Sequence, residues 1–111
     1  MDKTLLAGST GMLLLKLLEE GDMYGYQMID TLRRRSDHTF DLKAGTLYPL
    51  LHTLEERGYV VSYLAEEDGP RPRKYYRLTD AGRRQLAEKQ QEWRQYVGAV
   101  DRVLEGDECF A

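Results

Sequence analysis

The sequence predicts a mainly helical chain with one small β-hairpin, an α+β arrangement, and three features lead there. Leu47, Leu50, Leu51 and Leu54 recur at i, i+3, i+4 and i+7, which stacks the four leucines on one face of a helix. Beyond Gly58 the period shortens: two stretches rich in β-branched and aromatic residues flank a turn containing Asp68, Gly69, Pro70 and Pro72. From Thr79 to Leu104 no proline interrupts the chain, and apolar residues fall on a seven-residue repeat.

Taken in order, Ser9 or Thr10 is placed to cap a first helix running through about Leu18, which Glu19-Glu20-Gly21-Asp22 ends. Met12, Leu13, Leu14, Leu15, Leu17 and Leu18 cover most of its circumference, so it is expected to support the core from several sides. Leu5, Leu6 and Ala7 can add an extra turn that reaches a partner subunit. A second helix is expected from about Tyr24 to Arg35, with Tyr26, Met28, Ile29 and Leu32 inward and three arginines in its last turn, where they suit the helix dipole. The polar link Ser36 to Asp41, broken by Phe40, leads into a third helix starting near Lys43 or Thr46. Gly58, free to take positive φ, ends it; Pro49 fits near its start or at a bend.

Tyr59 to Glu66 and Tyr75 to Leu78 read as the two strands of a hairpin whose tip is basic on its returning side. Thr79 then caps a last helix with Asp80 in its first turn, a rod of roughly 26 residues and about 39 Å. Leu86, Trp93 and Val100 lie seven apart, with Gln90, Val97 and Leu104 four after each, so five of the six seam positions are apolar. Tyr96 and Val103 widen the stripe. Such a helix needs covering, and the same helix of a second copy, with the first helix, is the expected cover. Three helices followed by a hairpin is the order of a winged helix-turn-helix. The chain therefore divides into residues 1–78 (winged helix-turn-helix), 79–104 (dimerisation helix) and 105–111 (acidic tail).

The run Gly45-Thr46-Leu47-Tyr48-Pro49-Leu50-Leu51-His52-Thr53-Leu54-Glu55-Glu56-Arg57-Gly58-Tyr59-Val60, followed by Arg73-Lys74-Tyr75-Tyr76-Arg77-Leu78-Thr79-Asp80-Ala81-Gly82, resembles the PadR family of bacterial transcriptional regulators. The resemblance begins near Leu13, includes Tyr24-Gly25-Tyr26 and continues to about Leu104. It implies a homodimer on double-stranded DNA, acting as a ligand-responsive repressor at a twofold-symmetric operator; the residues themselves give no sign of a cofactor. It also places Arg73-Lys74-Tyr75-Tyr76 in the wing. Some similar regulators bind flat aromatic or cationic molecules between the terminal helices, which here implies a small aromatic or cationic effector at Gln90, Trp93 and Tyr96. Trp93 as a plain seam or core residue, alongside the seam residues Leu86, Val97, Val100 and Leu104, is the reading the residues favour.

The net charge of −3 matters less than its distribution. Between Gly69 and Arg84, Arg71, Arg73, Lys74, Arg77, Arg83 and Arg84 face one acid, Asp80, and Arg33 to Arg35 form a second cluster. In a DNA complex, Lys43 at the start of the third helix would pair with phosphate, while Thr46, Tyr48 and His52 would reach base edges or phosphates. Tyr48 can equally pack inward. Arg71, Arg73 and Lys74 are expected at phosphate or the minor groove, with Tyr75 and Tyr76 structural. Negative net charge and Glu66, Glu67 and Asp68 beside the wing keep a second class open, a winged-helix protein-interaction module without DNA binding.

Enzyme chemistry is not indicated. His38 and His52 are isolated, no phosphate-cradling glycine run occurs, and no metal-ligand spacing is present. Cys109, the one cysteine, sits beside Asp107 and Glu108, which disfavour its thiolate. The apolar run from Met12 to Leu18 is too short to span a bilayer, Met1-Asp2-Lys3 does not open a secretory signal, and a cytoplasmic location is expected.

Overall fold

The helix α1 (Lys3–Glu20) is the element on which α2, β3 and α4 pack. The computed structural model describes residues 3–66 and 71–106, with side chains from Ser9 onward. Leu14, Leu15, Leu17 and Leu18 are at most 3% exposed, so α1 is apolar on most sides because it has neighbours on most sides. The expected cap at Ser9 or Thr10 is corrected: the helix begins at Lys3, and both residues lie buried within it. Leu5, Leu6 and Ala7 are good helix formers, and the helix runs on through Gly8 and Gly11, so there is no end at Ser9 to cap. Their reach toward a partner lies outside the described side chains.

A two-residue strand β1 (Met23–Tyr24), absent from the sequence reading, precedes α2 (Gly25–Arg35). The backbone N–H of Tyr24 donates to Gln27 Oε1 at 3.1 Å, closing the first turn of α2. Met28 and Leu32 are buried, whereas Tyr26, expected inward, is 65% exposed. Two residues before Met28 is about 200° around the helix, which turns Tyr26 outward. At the far end Ser36 Oγ donates to Leu32 O at 2.7 Å and accepts from the Phe40 N–H at 2.9 Å. Asp37 and His38 take φ of +51° and +66°, a left-handed corner short polar side chains tolerate, and Phe40 packs on the core.

The third helix, α3 (Ala44–Glu56), has Lys43 as its N-cap and buries Leu47, Leu51 and Leu54, with Leu50 half-buried. Pro49 lies inside the helix, where its missing N–H removes the bond that would go to the Gly45 carbonyl. Gly58, at φ +80°, ends the helix as expected. The N–H of Gly58 donates to Glu55 O and that of Tyr59 to Leu54 O, both at 3.0 Å, which satisfies the last carbonyls.

The hairpin pairs β2 (Val60–Ala65) with β3 (Arg73–Leu78) from Val60↔Leu78 to Ala65↔Arg73, and β3 begins two residues earlier than its side chains suggest. β1 joins the other edge of β3, with Met23↔Tyr76 and Tyr24↔Tyr75, giving the order β1-β3-β2. The expected tip residues Glu67 to Pro70 lie outside the described residues. Tyr75 and Tyr76 are 7% and 4% exposed, structural as expected.

Thr79 caps α4 (Asp80–Glu105): its hydroxyl accepts from the Gly82 N–H at 3.0 Å and donates to Gly58 O at 2.6 Å. Leu86, expected in a dimer seam, is corrected: it is 0% exposed and belongs to the core of its own chain, because α4 packs on α1 before it leaves the body. Farther along, Trp93, Tyr96, Val103 and Leu104 are exposed and Val97 and Val100 half-buried, on a molecule 68 Å long and 28 Å across. The acidic tail from Asp107, with Cys109, lies outside the described residues. No helix among the described residues is long and apolar enough to cross a membrane.

Leu86→Ala is expected to cost about 3 kcal/mol by opening a cavity under α4. Leu104→Ala, at a residue 77% exposed in one chain, should leave the stability of the single protomer unchanged. Denaturant midpoints at protein concentrations low enough to keep the chain monomeric check both.

Candidate nucleic-acid interface

The outward face of α3 carries Thr46, Tyr48, Pro49 and His52, all exposed. Lys43 stands at the helix N-terminus, where a cation opposes the helix dipole, so its charge does not stabilise α3 itself. His52 Nε2 is 3.5 Å from Glu56 Oε1, one turn further on. A carboxylate thus borders the imidazole that the sequence put forward as a base reader.

Tyr48 is divided between the two roles open to it. It is 40% exposed, yet its hydroxyl packs so closely on Gly25 that no Cβ fits there. Burial pushes its phenol pKa up from the ordinary 10.0. The ring forms one wall of a groove of about 730 Å³ between the start of α2, α3 and the wing. Tyr24, Gly25 and Tyr26 complete that wall, and Arg71, Pro72, Arg73 and Lys74 form the opposite one. The structure therefore brings together Tyr48, Arg71, Arg73 and Lys74 from the predicted set. It leaves Lys43, Thr46 and His52 on the open face of α3, outside the groove. Tyr24 and Tyr26 were missed as site residues; the signal was the Tyr-Gly-Tyr sequence, in which Tyr26 was assigned to the core.

Ion pairing separates the cations. Asp30 takes Arg34 at 2.9 Å and Arg33 at 3.1 Å, and Glu20 takes Arg35 at 2.6 Å, so the second basic cluster is largely neutralised on its own surface. The hydrogen bond from Arg34 holds the Asp30 carboxyl below its ordinary 3.8, with Arg33 adding to it. Arg77 is tied to Asp22 at 3.1 Å. Among the described residues no carboxylate pairs with Lys43, Arg71, Arg73 or Lys74. Arg73 lies 4.4 Å above the Tyr24 ring and Lys74 Nζ 5.7 Å from the Tyr76 ring centre. Among the described residues these four are thus left open to an anionic partner. No group of three or more His, Cys, Asp or Glu among the described residues is placed to hold a metal.

On α4, the Trp93 and Tyr96 rings stack at 6.1 Å and 29°, both open to solvent, with Gln90 half-buried one turn before Trp93. Val97, Val100 and Leu104 follow along the same helix, and Leu86 does not join them.

A three-helix body with a basic, aromatic groove between its third helix and a β-hairpin defines a winged-helix regulator of the DNA-binding class. The family model of the PadR-like transcriptional regulators matches residues 14–88. An uncharacterised protein of Lysinibacillus sphaericus is 31% identical over 102 residues, 92% of this chain and 94% of that protein. A transcriptional regulator from Clostridium thermocellum superposes with a TM-score of 0.84 at 33% identity, covering 90% of this chain and 97% of that one. A PadR family regulator from Eggerthella lenta superposes with a TM-score of 0.79 at 38% identity, over 94% and 88% of the two chains. The chain belongs to the PadR-like family of transcriptional regulators.

Gly25→Ala should displace the Tyr48 ring and destabilise the fold by about 2 kcal/mol, and removing the hydroxyl with Tyr48→Phe on the same background should recover part of it. Thermal melts of the variants decide this. A second expectation concerns alkaline pH. Burial raises Tyr48 and Tyr76, and the hydrogen bond to Asp22 raises Tyr63, all from an ordinary 10.0. The folded state thus favours the neutral phenols: this stabilisation is complete below pH 10 and is lost as pH rises through the folded values. Tyrosinate absorbance should consequently lag that of the denatured chain above pH 10.

Proposed function

We propose that the protein is a ligand-responsive repressor, binding a twofold-symmetric operator as a homodimer in the cytoplasm. The observation that carries the reading is the groove, where Tyr48 of the recognition helix and the wing cations Arg71, Arg73 and Lys74 line one cleft. In this reading α3 enters the major groove. Thr46, Tyr48 and His52 lie toward the bases, Lys43 takes a phosphate at the helix start, and the wing follows the backbone. Residues 1–78 bind DNA, residues 79–104 hold the dimer and residues 105–111 are an acidic tail. The stripe of exposed Trp93 and Leu104 with half-buried Val97 and Val100 meets its copy and spaces two recognition helices about 34 Å apart.

A planar aromatic or cationic effector entering beside Trp93, Tyr96 and Gln90 would release the DNA by favouring another spacing, which requires unequal affinity for the two states. The second reading, a winged helix that binds protein, is favoured by the net charge of −3 and by exposed Glu66 beside the wing.

Fluorescence anisotropy with a duplex from the protein's own upstream region, against a scrambled one, tests the choice. If a dimer neutralises about eight phosphates, log K should fall with log salt at a slope near −7. No binding at low salt removes the DNA reading. For the effector, Trp93→Ala should abolish the response of DNA affinity to an added aromatic cation while sedimentation still shows a dimer; loss of the dimer makes Trp93 a seam residue instead.

A further inference from the structure

We infer that Asp22 is a positioning residue for the wing, fixing where Arg73 stands and supporting DNA affinity without reaching the DNA; the inference rests on the DNA reading above. Asp22 lies in the connection between α1 and β1, on the helical body. Its Oδ2 accepts from the Tyr63 hydroxyl of β2 at 2.6 Å and from Arg77 Nε of β3 at 3.1 Å. One carboxylate thus ties both strands of the hairpin to the body.

The tether continues to Arg73 through side chains on one face of the sheet. Tyr24, Tyr75 and Tyr63 stand opposite one another across the three strands. Tyr63 stacks on Tyr75 at 5.7 Å and 17°, and Tyr75 meets Tyr24 edge-on at 5.4 Å and 77°. Arg73 covers Tyr24 at 4.4 Å, while at the other end Arg77 covers Tyr63 at 4.9 Å. The two arginines flank Tyr75 on β3, yet Asp22 neutralises Arg77, and Arg73 is the one that borders the groove.

A two-stranded ribbon is marginal alone, and β1 pairs with only two residues of β3. On the opposite face Ser62 Oγ donates to Glu55 Oε2 at 2.6 Å, pinning β2 to α3. Asp22 supplies the matching restraint on the tyrosine side. With both in place the wing has one position relative to the recognition helix, and a cation already in position loses less freedom on meeting a phosphate.

A duplex selected from random sequence by the wild-type protein provides the probe, with Kd measured for Asp22→Ala, Tyr63→Phe, Arg73→Ala and the double variant Asp22→Ala/Arg73→Ala. Tyr63→Phe removes one hydroxyl and keeps the ring on Tyr75, so it remains informative if Asp22→Ala folds poorly. Both single changes at the tether should raise Kd about fivefold, and the double variant should bind no worse than Arg73→Ala alone. Tether variants that bind like the wild type, or losses that multiply in the double variant, overturn the inference: the network would then serve stability only. If no duplex is enriched, the DNA reading itself falls, and this inference with it.

Discussion

The junction of Gly58 and Thr79 holds the parts of this molecule in register. Gly58, in the left-handed region, stops α3 and frees its own carbonyl to accept from the Thr79 hydroxyl. Thr79 in turn donates its N–H to Tyr59 O at 3.1 Å and accepts from the Gly82 N–H. The end of α3, both ends of the hairpin and the start of α4 thereby meet within a few bonds. Gly82 comes so close to Tyr59 O that a side chain there would collide with backbone. A small error here would swing the wing and the long helix together, because both are levers that leave the body from this point.

Carboxylates then decide which cations are structural. Asp30, Glu20 and Asp22 take Arg33, Arg34, Arg35 and Arg77, pairs that are exposed and individually worth little to stability. Their larger effect is on the field, since neutralising these arginines makes the cluster of Arg71, Arg73 and Lys74 at the groove stand out on a chain of net charge −3. Aromatic rings under Arg73 and Lys74 hold the two wing cations without cancelling their charge.

The fourth helix changes character along its length. Up to Leu86 it is part of the core, and beyond Trp93 it carries apolar side chains into solvent. A uniform heptad pattern in the sequence therefore spans two environments. The period of a helix records that one side is covered, and a leucine against its own chain satisfies it as well as one against another.

Much of the fold was legible in the sequence because the signals are local. The i, i+3, i+4, i+7 leucines, Gly58 and the Thr79 cap each express backbone geometry within one or two turns, and the structure places them as expected. The start of α1, the two-residue strand β1 and the orientation of Tyr26 were not legible. The first lies in a stretch where two glycines blur the local helix signal, the second depends on a free edge of β3 some fifty positions away, and the third on which side α2 turns to the core. The site divides similarly. Residue types and the basic wing could be read from spacing, but the aromatic wall of the groove, the close fit of Tyr48 on Gly25 and the sorting of arginines by carboxylates could not. Those contacts join residues distant along the chain, and sequence periodicity carries no information about distance between elements. The sequence determined what each segment would become; tertiary packing decided which charges stayed free and which leucine faced inward.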